Sequence, residues 1–223
     1  MKKAILIVAL ILIIDQTLKI LVKTTMMLGD THFIFGNWFQ IHFVENEGMA
    51  FGMRLGGDYG KLLLSLFRII AVIVIGWWLF KVTRKEASNL IIVCISLIIA
   101  GALGNILDSA FYGLIFNSSA HNIATLFPPE GGYGTFLHGK VVDMLYFPVI
   151  ESHYPVWFPW VGGREFTFFS PVFNIADSSI TVGVFLLIFF QKKFFQTDSS
   201  RISSSETETT PANSPNGSSP DNQ

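Results

Sequence analysis

A small set of ionisable and amide side chains interrupts the long apolar runs of this sequence, and their spacing is what could do chemistry. Asp15 and Lys19 stand four residues apart in the run that begins at Ala4, acid before base, so a helix places both on one face. Gly101, Asn105 and Asp108 recur at i, i+4 and i+7 in another run, and Asn174, Asp177 and Thr181 recur at i, i+3 and i+7 in a third. Arg68 lies inside a further apolar run, and Asp143 falls in Lys140–Phe147, which reads as extended. An ionisable group in a membrane span costs about 2.5–3.5 kcal/mol or more at the helix centre, so each needs a partner or a purpose. Two carboxyl groups that share one site cannot both ionise cheaply, retain a proton between them, and so supply a general base and a general acid together. Asp143 and Asp177 differ from the other groups in having no evident local cation. The bland readings are helix–helix glue for Asp15–Lys19 and Asn105–Asp108, and a solvated strand residue for Asp143.

The elements that must position these groups are membrane helices. The chain has 223 residues, of which 51% are hydrophobic and 14% charged, and a mean hydropathy of +0.51, a balance suited to lipid. Four stretches are long enough to cross a hydrocarbon core, which requires roughly 20 residues: Ala4–Leu28, Lys61–Phe80, Asn89–Ala110 and Pro171–Phe190. The first imitates a signal peptide, but Asp15 rather than a small-x-small cleavage site follows the apolar run, which predicts an uncleaved helix. Lys2, Lys3, Lys81, Arg84, Lys85, Lys192 and Lys193 flank one side, so the positive-inside rule puts both termini in the cytoplasm and segments 29–60 and 111–170 outside. Ser170-Pro171 is a helix-start signal that would bury Asp177 about 9 Å below the outer end, with Arg68 at a comparable depth of about 10 Å. The fold class expected is a membrane all-α four-helix bundle over residues 1–195, carrying a small outer hairpin or sheet around Phe33–Asn46. Asn117–Gly134, rich in Ser, Asn, Pro and Gly, reads as an insertion, and residues 196–223 as a disordered polar tail. A net charge of −1 gives no basic surface for nucleic acid, and the single Cys94 permits neither a disulfide framework nor a cysteine metal site.

Five blocks then resemble the signature segments of the lipoprotein signal peptidase family, also called signal peptidase II. They are Asp15-Gln16-Thr17-Leu18-Lys19, Asn46-Glu47-Gly48-Met49-Ala50-Phe51-Gly52, Gly101 to Asp108, Gly139 to Met144, and Phe173 to Ser178. One block alone is weak; five in the family's order around four apolar stretches are specific. The resemblance implies a metal-independent aspartyl endopeptidase of the bacterial inner membrane, without cofactors. It would cut diacylglyceryl-modified prolipoproteins just before the lipidated cysteine, at the outer membrane–water boundary. It implies catalytic roles for Asp143 and Asp177. Asn46, Gly48, Asn105, Asp108 and Asn174 would support the site, and Asp15 and Lys19 would stabilise bundle or site. Its partners would be prolipoprotein substrates and membrane lipid, with a monomer expected. One departure stands out: the family usually has Arg after the third-helix Asp, where this chain has Ser109. Arg68 is expected to supply that charge, with Asp108 as its partner.

Another reading makes the chain a small transporter or channel subunit, since intramembrane charges often mark ion paths. Against it, the polar groups gather in the outer half and leave no relay to the cytoplasmic side. A serine protease of the rhomboid kind would need a His within a span, and His32, His42, His121, His138 and His153 all lie outside the four. Those histidines also show no helical metal spacing.

Overall fold

A computed structural model describes residues 2–47, 57–84, 88–148, 150–153, 155–168 and 171–190, with side chains described except at 57–58, 82–84, 150–153 and 165–168. Gly48, Lys192, Lys193, Ser170 and the tail 196–223 lie outside the described residues. Apolar length dictates the first level of structure. Helix α1 spans Lys2–Thr25, α2 Gly57–Arg84 and α3 Asn89–Leu107. The Ser88 side chain caps α3 by accepting from the Ile91 N–H at 3.4 Å. Among the described residues, three helical segments are long and apolar enough to cross a membrane: Lys2–Thr25, Tyr59–Lys81 and Asn89–Ile115. A fourth apolar helix, α4, spans Ile175–Phe190 and is shorter. The chain is thus a mostly helical, multi-pass membrane protein with a small antiparallel sheet.

The third span runs past the end expected at Ala110. After Leu107 it continues through a π-helical turn, Asp108–Tyr112, and a last turn, Gly113–Ile115. A π-turn inserts a residue into the helical ladder and re-aims the side chains around it. Here it leaves Asp108, Ser109, Ala110 and Tyr112 all buried.

The Phe33–Asn46 alternation yields the expected hairpin. Strands β1 (Thr31–Phe35) and β2 (Phe39–Asn46) pair antiparallel around Gly36, whose φ of +52° suits glycine at the turn. Strand β3 (Val141–Tyr146) pairs antiparallel with β2, and β6 (Val172–Phe173) with β3, giving the order β1-β2-β3-β6. A separate hairpin of β4 (Ile150–His153) and β5 (Glu165–Phe168) was not foreseen.

That short β6 corrects the helix start expected at Ser170-Pro171. Pairing of Leu145 with Phe173 and Tyr146 with Val172 keeps the chain extended through Phe173. Helix α4 therefore begins at Ile175, and Asp177 lies in its first turn rather than well below its end. The Asn117–Gly134 segment, read from sequence as an insertion, is packed against the rest of the chain. Phe116 bridges Leu126, the Gly134 N–H donates to the Gly113 carbonyl at 2.8 Å, and Ala124 joins Val22, Phe43, Phe116, Val142 and Met144 in the core beneath the sheet.

Glycine sets how closely α3 meets its neighbours. A Cβ on Gly101 would lie 2.1 Å from the Ala176 carbonyl oxygen, and one on Gly104 would lie 2.7 Å from Asp15 Oδ2. The start of α4 and the polar stripe of α1 can reach the Asn105–Asp108 segment only because those two positions lack side chains. Cys94 is fully buried, as expected for a structural thiol.

Candidate active site

Asn174 organises the start of α4 and links it to the sheet. Its Oδ1 accepts from the Asp177 N–H at 2.8 Å, while Asp177 Oδ2 accepts from the Asn174 N–H at 3.4 Å. This reciprocal arrangement is a capping box built from Asn and Asp. Asn174 Nδ2 faces Asp143 Oδ1 at 2.6 Å, Asn105 Oδ1 at 3.2 Å and the Val142 carbonyl at 3.3 Å. Asn105 Nδ2 donates to Asp177 Oδ1 at 2.8 Å. On the remaining oxygen of Asp143, Oδ2, the Asn46 amide donates from the end of β2. Two carboxyl groups from different elements, β3 and α4, thus share one amide network.

Asp143 is 3% exposed. Burial, and next the charge of Asp177, push its carboxyl up to about 8, while the hydrogen bond from Asn174 works in the opposite direction. A carboxyl so placed keeps its proton at neutral pH beside a second carboxyl, which is the arrangement expected of an acid–base pair.

Beneath the pair lies a fully buried charge cluster. Lys19 Nζ is 2.9 Å from Asp15 Oδ2 and 2.7 Å from Asp108 Oδ2, and donates to Asn105 Oδ1 at 2.9 Å. Asp15 Oδ1 accepts from the Ala176 N–H at 2.9 Å, so a carboxylate on α1 caps the positive end of the helix that carries Asp177. Asp108 Oδ2 also accepts from the Val142 N–H at 3.4 Å, tying the π-turn to β3. Glue and site are therefore one network here: the Asp15–Lys19 pair holds the bundle and positions α4.

Arg68 was expected to partner Asp108, which is among the carboxylates its charge acts on. Asp108 is already engaged by Lys19 and by Gln16 Nε2 at 2.8 Å, and the charge of half-buried Arg68 interacts most strongly with Asp177, then Asp108, then Asp143. Its field thus falls on the carboxyl pair rather than on Asp108 alone. Ser109 is 2% exposed and donates to the Asn105 carbonyl at 3.0 Å, so an Arg at 109 would have no route out of the core. Arg68→Leu is expected to lower turnover roughly tenfold or more, the scale of one charged group near a reacting centre. Steady-state assays on the purified variant check this, and full activity would make Arg68 an interfacial anchor.

Two groups were missed from sequence. Gln16 bridges Asp15 Oδ2 at 3.1 Å, the Gly104 carbonyl at 3.2 Å and Asp108, and its Oε1 accepts from the Tyr112 hydroxyl at 3.1 Å. Lys23 is fully buried against Glu45 and Ser119. It continues the Asp15–Lys19 stripe by another four residues, a signal that was legible. Among the described residues no group of three or more His, Cys, Asp or Glu could hold a metal ion.

Comparison with known proteins bears on what such a site does. The family model described as Signal peptidase (SPase) II matches residues 7–192. A lipoprotein signal peptidase of Porphyromonas gingivalis is 56% identical over 182 residues, covering 81% of this chain and 79% of its own. One from Amoebophilus asiaticus is 36% identical over 190 residues, covering 84% and 76%. A solved bacterial membrane enzyme superposes with a TM-score of 0.58 at 28% identity, covering 86% of this chain and 89% of its own.

Proposed function

The chain belongs to the signal peptidase II family, and from that premise we propose that Asp143 and Asp177 are the catalytic pair of a lipoprotein signal peptidase. The observation that carries this reading is the shared amide network, in which Asn174 donates to Asp143 and caps Asp177 while Asn105 donates to Asp177. In the resting pair one proton is retained. The ionised member draws a proton from water, and the nucleophile so formed attacks the scissile carbonyl as the protonated member donates to the carbonyl oxygen. As the C–N bond breaks, the first member passes the proton it took from water to the leaving amine, and the second takes its proton back from the hydroxyl of the intermediate. The amides of Asn46, Asn105 and Asn174 hold the carboxyl oxygens in register while the proton moves. Lys19 offsets Asp15 and Asp108 so that these neighbours do not load further negative charge onto the pair.

The substrate is a diacylglyceryl-modified prolipoprotein, cut just before the lipidated cysteine. Its acyl chains remain in lipid and its backbone crosses the outer edge of the sheet to reach the pair. Four helices, α4 included, cross the bacterial inner membrane, with both termini cytoplasmic, the sheet on the periplasmic side and the chain acting as a monomer. The lysine and arginine distribution supports this topology. Membership of a protease family disfavours the transporter reading.

Two experiments test the reading. Rate against pH should fall on the alkaline side near the value of about 8 at which Asp143 gives up its proton. Below that pH the shared proton is in place; above it both carboxyls are charged and no acid remains. A flat profile from pH 6 to 10, by contrast, would remove the acid from the mechanism. For topology, reporter fusions after Thr83 are expected to read cytoplasmic and fusions after Gly131 periplasmic. A periplasmic signal at Thr83 would overturn the orientation.

A further inference from the structure

The Lys23 cluster lies on the back of the strand whose front carries the site. Side chains alternate along β2, so Phe43 and Glu45 face the core while Val44 and Asn46 face the carboxyl pair. The register agrees: Glu45 lies opposite Val142, which is fully buried, and Val44 opposite Asp143. On the back face Lys23 Nζ meets Glu45 Oε1 and donates to Ser119 Oγ at 2.8 Å, and Ser119 in turn donates to Glu45 Oε1 at 2.9 Å. The ring centroids of Phe116 and Tyr133 lie 5.2 Å from the ammonium and that of Phe43 lies 6.0 Å away. Lys140 Nζ approaches Glu45 Oε2 at 3.6 Å, and the Lys140 N–H donates to the Tyr133 hydroxyl at 2.6 Å. One end of α1, the 116–133 segment and the sheet are therefore fastened at a single carboxylate.

That carboxylate is next to Asn46, the donor to Asp143 Oδ2. It is also opposite Val142, whose N–H donates to Asp108 and whose carbonyl accepts from Asn174. A shift of Glu45 must displace both. We infer that Lys23, Glu45 and Ser119 form a positioning clamp that fixes the Asn46 amide on Asp143, and that the 117–134 segment, by supplying Ser119, sets the geometry of the site. This rests on the catalytic reading of Asp143 and Asp177. The clamp touches no substrate and acts only through β2.

The test uses two variants that keep net charge unchanged, so that field effects do not imitate geometry. These are Ser119→Ala and the pair Lys23→Met with Glu45→Gln. The charged groups facing Asp143, namely Asp177, Asp108, Lys19 and Arg68, remain in both. The purified full-length chain is assayed with a synthetic diacylglyceryl lipopeptide across pH. Loosening the Asn46 donor removes a stabiliser of ionised Asp143, so the alkaline limb moves to higher pH, by about one unit in the double variant. Turnover falls about tenfold there and less in Ser119→Ala, with KM within about twofold, because orientation rather than binding is lost. A clamp that merely held the fold together would reduce the active fraction and leave the normalised profile where it was. Normalised profiles that superimpose on wild type in both variants overturn the proposal, whatever the rate. Should the double variant not fold, Ser119→Ala decides alone. Absence of any alkaline limb in wild type counts instead against the carboxyl pair itself.

Discussion

Asp143→Asn and Asp177→Asn each reduce cleavage of a diacylglyceryl lipopeptide by a factor on the order of a thousand or more, the range a positioned acid or base commands. The reason is the shared proton. Asp143 is buried beside Asp177 and keeps its proton up to about pH 8, so each amide variant leaves one carboxyl with no partner to relay to. Because the two act as a unit, the double variant should be little worse than either single one. Neither substitution adds volume or charge; each leaves one donor of the network facing an NH2 in place of an oxygen, a loss of about 1–3 kcal/mol. Against a stability of roughly 5–15 kcal/mol the folded state is kept. Cys94, the one cysteine, fully buried, gives the control: its thiol should stay unreactive in both variants. Near-normal turnover in either would remove that residue from the chemistry.

Lys19→Met is expected to act first on the fold, and also on the carboxyl pair, which loses a cation that opposes the charge of Asp108 on Asp143. Lys19 is 0% exposed, and so are its two carboxylate partners, Asp15 and Asp108. Removing the cation leaves two buried negative charges side by side, and breaking such a pair costs about 3–5 kcal/mol. Against the roughly 5–15 kcal/mol by which domains are stable, that is a large share. The Cys94 thiol should become reactive at a markedly lower temperature than in wild type. Adding Asp15→Asn and Asp108→Asn to Lys19→Met should recover most of the loss, since neutral amides carry no uncompensated charge. An unchanged thermal profile in Lys19→Met would show that the cluster is not held together by that cation.

The spans and the stripes upon them were readable because apolar length and helical spacing are local properties. Asp15, Lys19, Asn105 and Asp108 could be placed on helix faces from their intervals alone, with Gly101 at the start of the Asn105–Asp108 stripe. The hairpin around Gly36 was legible for the same reason, since alternation and a turn residue lie within a few positions of one another. What sequence could not place depended on pairing across distance. Two residues of β6, bonded to Leu145 and Tyr146, are enough to delay α4 to Ile175 and make Asn174 its cap. Ser170-Pro171 is a sound local helix signal that a strand pairing outcompetes. Lys23 extends the Asp15–Lys19 stripe and was legible to that extent, but its partners were not. Only the fold brings Glu45 and Ser119, 22 and 96 residues away, to cover it. Arg68 could be assigned to the carboxylate region from its depth, whereas the engagement of Asp108 by Lys19 depends on two helices meeting and could not be read.

The most direct measurement is mass spectrometry of the products that the purified chain makes from a synthetic prolipoprotein peptide. The peptide is supplied with and without the diacylglyceryl group. The account predicts one new N-terminus, at the lipidated cysteine, from the lipidated peptide with the wild-type enzyme, and none with Asp143→Asn. A cut at another bond, or the same product from Asp143→Asn, would contradict it.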